Sequence, residues 1–126
     1  MRPVHFEIHA ADPERCAAFY RDVFGWSIER IQAFEYWLVQ TGDSSPGIDG
    51  GILPRMGENP DSAEPTPVVG FVLTIQVPDI DATIDRIRTA GGTEALPKDH
   101  HPGIGLLAYW KDTESNVFGV LQPESA

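Results

Sequence analysis

The stretch VHFEIHAADPERCAAFYRDVFGW, residues 4–26, changes its hydrophobic period in the middle. Val4, Phe6, Ile8 and Ala10 alternate with His5, Glu7 and His9, the period of a strand that buries one face. From Asp12 onward the period is helical. Asp12 is the expected N-cap, Pro13 suits the first helical position, and Glu14 complements the positive end of the helix dipole. Cys16, Phe19, Tyr20 and Val23 form one apolar stripe, and Gly25 ends the helix. The stretch therefore reads as a strand followed by a helix. The helix covers the Phe6 and Ile8 side and leaves the face of His5, Glu7 and His9 open.

Working outward, YWLVQTG (36–42) reads as a second strand and GGIL (50–53) as a shorter third. The same order recurs in the second half. GFVLTIQV (70–77) is a strand. DIDATIDRIRTAGG (79–92) is a helix with Asp79 as N-cap and Ile80, Ile84 and Ile87 as its stripe. GLLAYWKD and NVFGVLQ are strands joined by the turn DTESN. At an offset of 67 residues, Ile8 falls on Ile75, Asp12 on Asp79 and Gly25 on Gly92, so the repeat lies in element order and cap positions. Between the halves, LPRMGENPDSAEPTPV carries four prolines and reads as a linker. The expected boundaries are about 1–54 for module one, 55–67 for the linker and 68–126 for module two. Each module is β-α-β-β with a place for one further strand. Two sheets with open faces would join into one cleft, the usual place for a small-molecule ligand.

Composition narrows the function. The chain has 126 residues, enough for one domain-sized core. The net charge of −10 argues against a nucleic-acid surface and against an anionic membrane, both of which need clustered Lys and Arg. The opening MRPVHFE lacks the apolar run of a signal peptide, and the lone Cys16 makes no internal disulfide. A reducing cytoplasm is the expected location. No phosphate loop, Ser–His–Asp order or paired-cysteine metal spacing is present.

Two of these segments resemble a known family. VHFEIHAADPERCAAFYRDVFGW is similar to the opening of a vicinal oxygen chelate module, and PGIGLLAYWKDTESNVFGVLQ resembles the module's closing hairpin. The superfamily includes glyoxalases, bleomycin-resistance proteins and extradiol dioxygenases. The resemblance implies an α+β fold of two βαβββ modules forming a U-shaped, incompletely closed barrel with the helices outside, and a homodimer. Metal-dependent members hold a divalent ion between first-strand and last-strand ligands. Carried over position by position, His5 matches a first-strand ligand, but its second-module equivalent is Val72. Gly50, Gly51 and Ile52 stand where the first module's glutamate is expected, and Gly119 where the second module's is. One histidine makes a poor site, since a catalytic zinc typically takes about three protein ligands. No cofactor is therefore expected.

The spacing of the strand adds to this. Same-face residues two apart lie about 6.6 Å apart along a strand, so His5 with Glu7, or Glu7 with His9, can share an ion, whereas all three span about 13 Å. The expectation is a ligand-binding wall of His5, Glu7 and His9 facing Val72, Thr74 and Gln76, with Trp37, Tyr109, Gly119 and Leu121 completing it. The glycines are expected to leave room. Glu7 is a candidate general base and His5 a candidate proton donor. The alternative is a metal-dependent lyase, isomerase or dioxygenase using His5 and Glu7. Alternation allows only one of Tyr109 and Trp110 to face the ligand, and His100 and His101 are expected in a loop.

Overall fold

The computed structural model describes residues 2–33, 35–60 and 71–125. The chain divides into two compact units, Met1–Asn59 and Pro60–Ala126. Each has the order βαβββ.

In the first unit, β1 (His5–Ala10) leads into α1 (Pro13–Phe24), followed by β2 (Ser27–Arg30), β3 (Trp37–Gln40) and β4 (Asp49–Pro54). Its four-stranded sheet has the order β1-β4-β3-β2, with β1 parallel to β4 and the other pairs antiparallel. The caps form as the sequence indicates. The Asp12 carboxylate accepts the Arg15 N–H at 3.1 Å, and Gly25 closes the helix in the left-handed region at φ 71°. Cys16, Ala17, Phe19, Tyr20 and Val23 are buried against the sheet face that carries Ile8, Ala10, Ile28, Val39 and Ile52. Each fully buried aliphatic side chain of this kind contributes about 1.5–3 kcal/mol.

The second unit repeats the plan with β5 (Leu73–Gln76), α2 (Ile80–Thr89), β6 (Thr93–His101), β7 (Gly105–Lys111) and β8 (Val117–Pro123), in the order β5-β8-β7-β6. Asp79 caps α2 by accepting the Ala82 N–H, and the Gln122 side chain on β8 accepts the Ile80 N–H at 2.9 Å. Ile80, Thr83, Ile84 and Ile87 are buried, facing Ala108, Trp110, Phe118 and Val120.

Two strands exceed the sequence reading. β2 has only Ile28 as a buried residue, and β6 is exposed along almost its whole length. Neither carries the alternation that marks a strand; both are edge strands held by their neighbours. His100 and His101, expected in a loop, end β6 and pair with Leu106 and Gly105 of β7. β4 extends the expected GGIL strand by one residue at each end, to Asp49 and Pro54. Residues 61–67 of the expected linker lie outside the described residues.

The β7–β8 turn is held by one carboxylate. Asp112 accepts from the backbone N–H groups of Glu114 (2.8 Å) and Asn116 (2.9 Å) and from the Asn116 side-chain amide (3.0 Å). Asp112 and Glu114 are buried, and Ser115 sits at φ 63°. Asp112→Ala strands those amide donors and is expected to cost about 2–4 kcal/mol, read as a lower midpoint in urea unfolding followed by circular dichroism.

Candidate functional site

The open face of the first unit is built by strand register. On β1, His5, Glu7 and His9 point away from α1 and are exposed. Their partners on β4 are Asp49, Gly51 and Leu53, and Gly51 in turn faces Leu38 on β3. Asp49 is turned aside, accepting the Thr41 N–H at 2.9 Å. Beyond β1, Arg55 donates to the backbone carbonyl of His9 at 2.9 Å.

Tyr36 organises the centre of this face. It precedes β3, and its ring reaches back over Gly51. A Cβ placed on Gly51 would stand 2.0 Å from the Tyr36 Oη, far inside contact distance. The phenol and the His5 Nε2 form a hydrogen bond at 2.7 Å, with the two rings nearly parallel at 12°. Glu7, opposite Gly51 in register, supplies a nearby negative charge. Burial pushes the Tyr36 phenol up from its ordinary value, and the Glu7 carboxylate adds to the push. The hydroxyl therefore stays a neutral donor and acceptor at every physiological pH.

Beside Tyr36 lies an open concavity of about 600 Å³ lined by Ile31, Glu35, Tyr36, Leu53 and Pro54. Among the described residues that line it, all are apolar apart from one phenol and one carboxylate, and none is a lysine or arginine.

The second unit presents its own open face. Thr74 pairs with Gly119, which pairs with Tyr109, while Gln76 pairs with Leu121. Thr74 and Gln76 are exposed, Tyr109 and Leu121 half-buried, and Val72 lies half-buried just before β5. A Cβ on Gly119 would approach the Thr74 Oγ1 to 2.9 Å and the Tyr109 ring to 3.2 Å. The room expected at the glycines is thus already filled. Tyr36 lies over Gly51, Phe6 over Gly50, and Tyr109 with Thr74 over Gly119.

Trp37 departs from its expected place. It pairs with Ile52, shares the helix-covered face and is 7% exposed. Its indole N–H donates to Glu14 of α1 at 2.8 Å, and the Arg30 guanidinium lies 5.1 Å from its ring centre. Arg21 completes this arrangement by bonding Glu14 at 2.8 Å. That bond, then the indole, holds the Glu14 carboxyl below its usual range. Trp110 is likewise buried on the helix side, under Arg88, whereas Tyr109 lies on the open face. His100 bonds Glu124, which also accepts the Gly103 N–H. That pair ties the β6–β7 turn to the chain after β8.

The residue that sequence reasoning missed is Tyr36. Its signal was parity: Tyr36 and Leu38 share one side of YWLV, Trp37 and Val39 the other, and the β-branched Val39 marks the core side.

Comparison with known proteins agrees with this architecture. The family description "Bleomycin resistance protein-like N-terminal" matches residues 2–42, which span β1 to β3. A glyoxylase-like domain-containing protein of Didymella fabae is 30% identical, over 90% of this chain and 88% of that protein. The chain belongs to the vicinal oxygen chelate superfamily. Among solved structures, a glyoxalase/bleomycin resistance protein/dioxygenase family enzyme from Burkholderia phytofirmans superposes with a TM-score of 0.74 at 20% identity, covering 95% of this chain and 97% of that one. A variant of the fosfomycin resistance protein FosX from Listeria monocytogenes, complexed with Mn(II) and a dihydroxypropylphosphonic acid, gives 0.75 at 15% identity, covering 98% and 90%. These likenesses are of fold.

The superfamily's divalent ion can be tested against this donor set. Of the positions its ligands would occupy, His5 alone carries a donor; Val72 is hydrocarbon, and Gly51 and Gly119 have no side chain. Over Gly51 the phenol fills the volume a carboxylate would enter. Among the described residues, no three His, Cys, Asp or Glu side chains gather closely enough to hold a metal ion. The residues present do not match the family's ligand set. None of the helices among the described residues is long and apolar enough to cross a membrane.

The raised Tyr36 phenol has a consequence for stability. The folded chain holds this proton more tightly than the unfolded chain, whose phenol titrates near 10.0. Its contribution is complete below that value and is lost as pH rises through the folded value. Ultraviolet difference titration of wild type against Tyr36→Phe is expected to show one tyrosine ionising later than free tyrosine. Glu7→Gln is expected to bring that transition part of the way back.

Proposed function

We propose that this protein binds a small organic molecule on the open face of its first unit, without a resident metal. The observation that carries the reading is the His5–Tyr36 pair laid over Gly51, beside an apolar concavity. A preformed hydrogen-bonding pair next to apolar walls is the usual composition of a small-molecule site. His5, Glu7 and Tyr36 supply its polar side; Leu53, Pro54 and Ile31 supply its apolar side. Thr74, Gln76, Tyr109 and Leu121 form a similar half-polar face on the second unit. The location proposed is the cytoplasm, and the assembly proposed is a homodimer.

A thermal-shift screen with a broad set of small metabolites tests this reading. Compounds that raise the melting temperature of wild type by several degrees are expected, and His5→Ala should weaken their effect. A library without a single stabilising compound would count against it.

The second reading is a metal-dependent lyase, isomerase or dioxygenase. His5 and Glu7 favour it, because they lie on one exposed face two residues apart. Metal analysis of gently purified protein separates the two. Substoichiometric Zn, Mn, Fe and Ni is expected. A full equivalent of any of them, absent in His5→Ala, would establish the second reading instead.

A further inference from the structure

We infer that Tyr36 is the residue that holds the ligand: its hydroxyl, seated over Gly51 and bonded to His5, receives the polar group of an uncharged or cationic molecule whose apolar body rests on Leu53, Pro54 and Ile31. This rests on the reading of the first unit as a small-molecule site and adds the anchoring residue and the class of ligand.

Three observations carry it. The first is exclusion. A side chain at position 51 and the Tyr36 ring cannot occupy the same volume, because even a Cβ there would lie 2.0 Å from the Oη and 2.1 Å from the Cζ. The phenol is therefore fitted to a glycine rather than resting on the sheet by chance. The second is commitment. The His5 Nε2 is already engaged by the phenol at 2.7 Å. What this pair offers an incoming molecule is the remaining hydrogen-bonding capacity of the hydroxyl. A neutral phenol has one proton and two lone pairs, more than a single bond to His5 consumes.

The third observation is charge. Glu35 lines the concavity and Glu7 acts on Tyr36 from β1. Among the described residues, no cationic side chain lines the concavity to oppose them. Of the two arginines adjacent in sequence to its lining residues, Arg30 is turned to the other side of the sheet over Trp37, and Arg55 is bonded to the His9 carbonyl and to Asn59. An anionic group beside Tyr36 would meet the charges of Glu35 and Glu7 with no cationic side chain among the described lining residues, which is repulsive at any effective dielectric. An amide, alcohol or ammonium group has no such penalty, and an ammonium group gains from both carboxylates and from the face of the phenol ring. Phosphonates and carboxylates are the class this site turns away.

Three probes sharing one apolar body test the assignment: phenethylamine, benzamide and phenylphosphonate. Each is titrated into the wild-type protein, Tyr36→Phe and Gly51→Ala, and followed by amide chemical shifts in NMR, which also report that each variant is folded. The amine and the amide are expected to shift Tyr36, Leu53 and their neighbours in wild type, and the phosphonate to bind at least tenfold more weakly than the amine. Tyr36→Phe removes one hydrogen bond, which corresponds to roughly a fivefold to tenfold loss of affinity. Gly51→Ala displaces the ring and should lose a similar factor while keeping the hydroxyl. Equal affinity in wild type and Tyr36→Phe, or preference for phenylphosphonate, would overturn the inference and leave the small-molecule reading standing. Failure of all three probes to bind would overturn both.

Discussion

The parallel pairing of β1 with β4 is the constraint on which the first unit depends. Parallel neighbours in one sheet need a long crossover between them. Here that crossover comprises α1, β2 and β3, and it puts the helix on one face only. The pairing also fixes that residue 7 lies beside residue 51 and residue 5 beside residue 49. A slip of one residue would carry His5, Glu7 and His9 under the helix and expose Phe6, Ile8 and Ala10, so burial of three apolar side chains enforces the register. The site inherits its geometry from that enforcement. Tyr36 finds a glycine under its ring because β1, β4 and β3 are locked together by the core on the other side.

The same constraint explains what the sequence made legible. Both helices, their Asp caps and their buried stripes follow from period and end chemistry that are local and strong. β1 was readable because its two faces differ completely in polarity. β2 and β6 were not, since an edge strand is stabilised by its neighbour's backbone and needs no alternation of its own. β6 carries Pro97 and a run of charged and imidazole side chains, the composition of a loop, yet it pairs with β7 along most of its length. The site was half legible. His5 and Glu7 were placed on an open face by parity alone, whereas for Tyr109 and Trp110 parity gave only that they lie on opposite faces. Trp37 departs from the expected open face because its parity matches Val39 and the core, where its indole N–H finds Glu14.

The glycines are the point at which the structure most changes the chemistry. A glycine where relatives are expected to hold a metal ligand suggests a vacancy. In both units an aromatic ring covers that glycine instead, Tyr36 over Gly51 and Tyr109 over Gly119. The two positions correspond by register, since Glu7 pairs with Gly51 as Thr74 pairs with Gly119. The tyrosines do not correspond: Tyr109 is the direct partner of its glycine, whereas Tyr36 lies two residues before Leu38, the partner of Gly51. The two units thus share a covered glycine while drawing the cover from different places. A common demand to shield exposed backbone on an open sheet explains this better than a shared inherited contact does.

The donor set on this face also bears on the kind of molecule we propose it holds. A divalent ion would offset part of the acidic charge on this surface and attract anionic oxygens. Among the described residues that line the concavity only Glu35 is charged, and Glu7 acts on Tyr36 from β1, in a chain whose formal charge is −10. In the proposed reading the Tyr36 hydroxyl, bonded to His5, is a neutral anchor, so orientation would come from the hydrogen bond and selection from the surrounding field. The chain thus keeps the fold of its superfamily, while in the proposed reading the sign of charge the face admits is set by two carboxylates and one phenol.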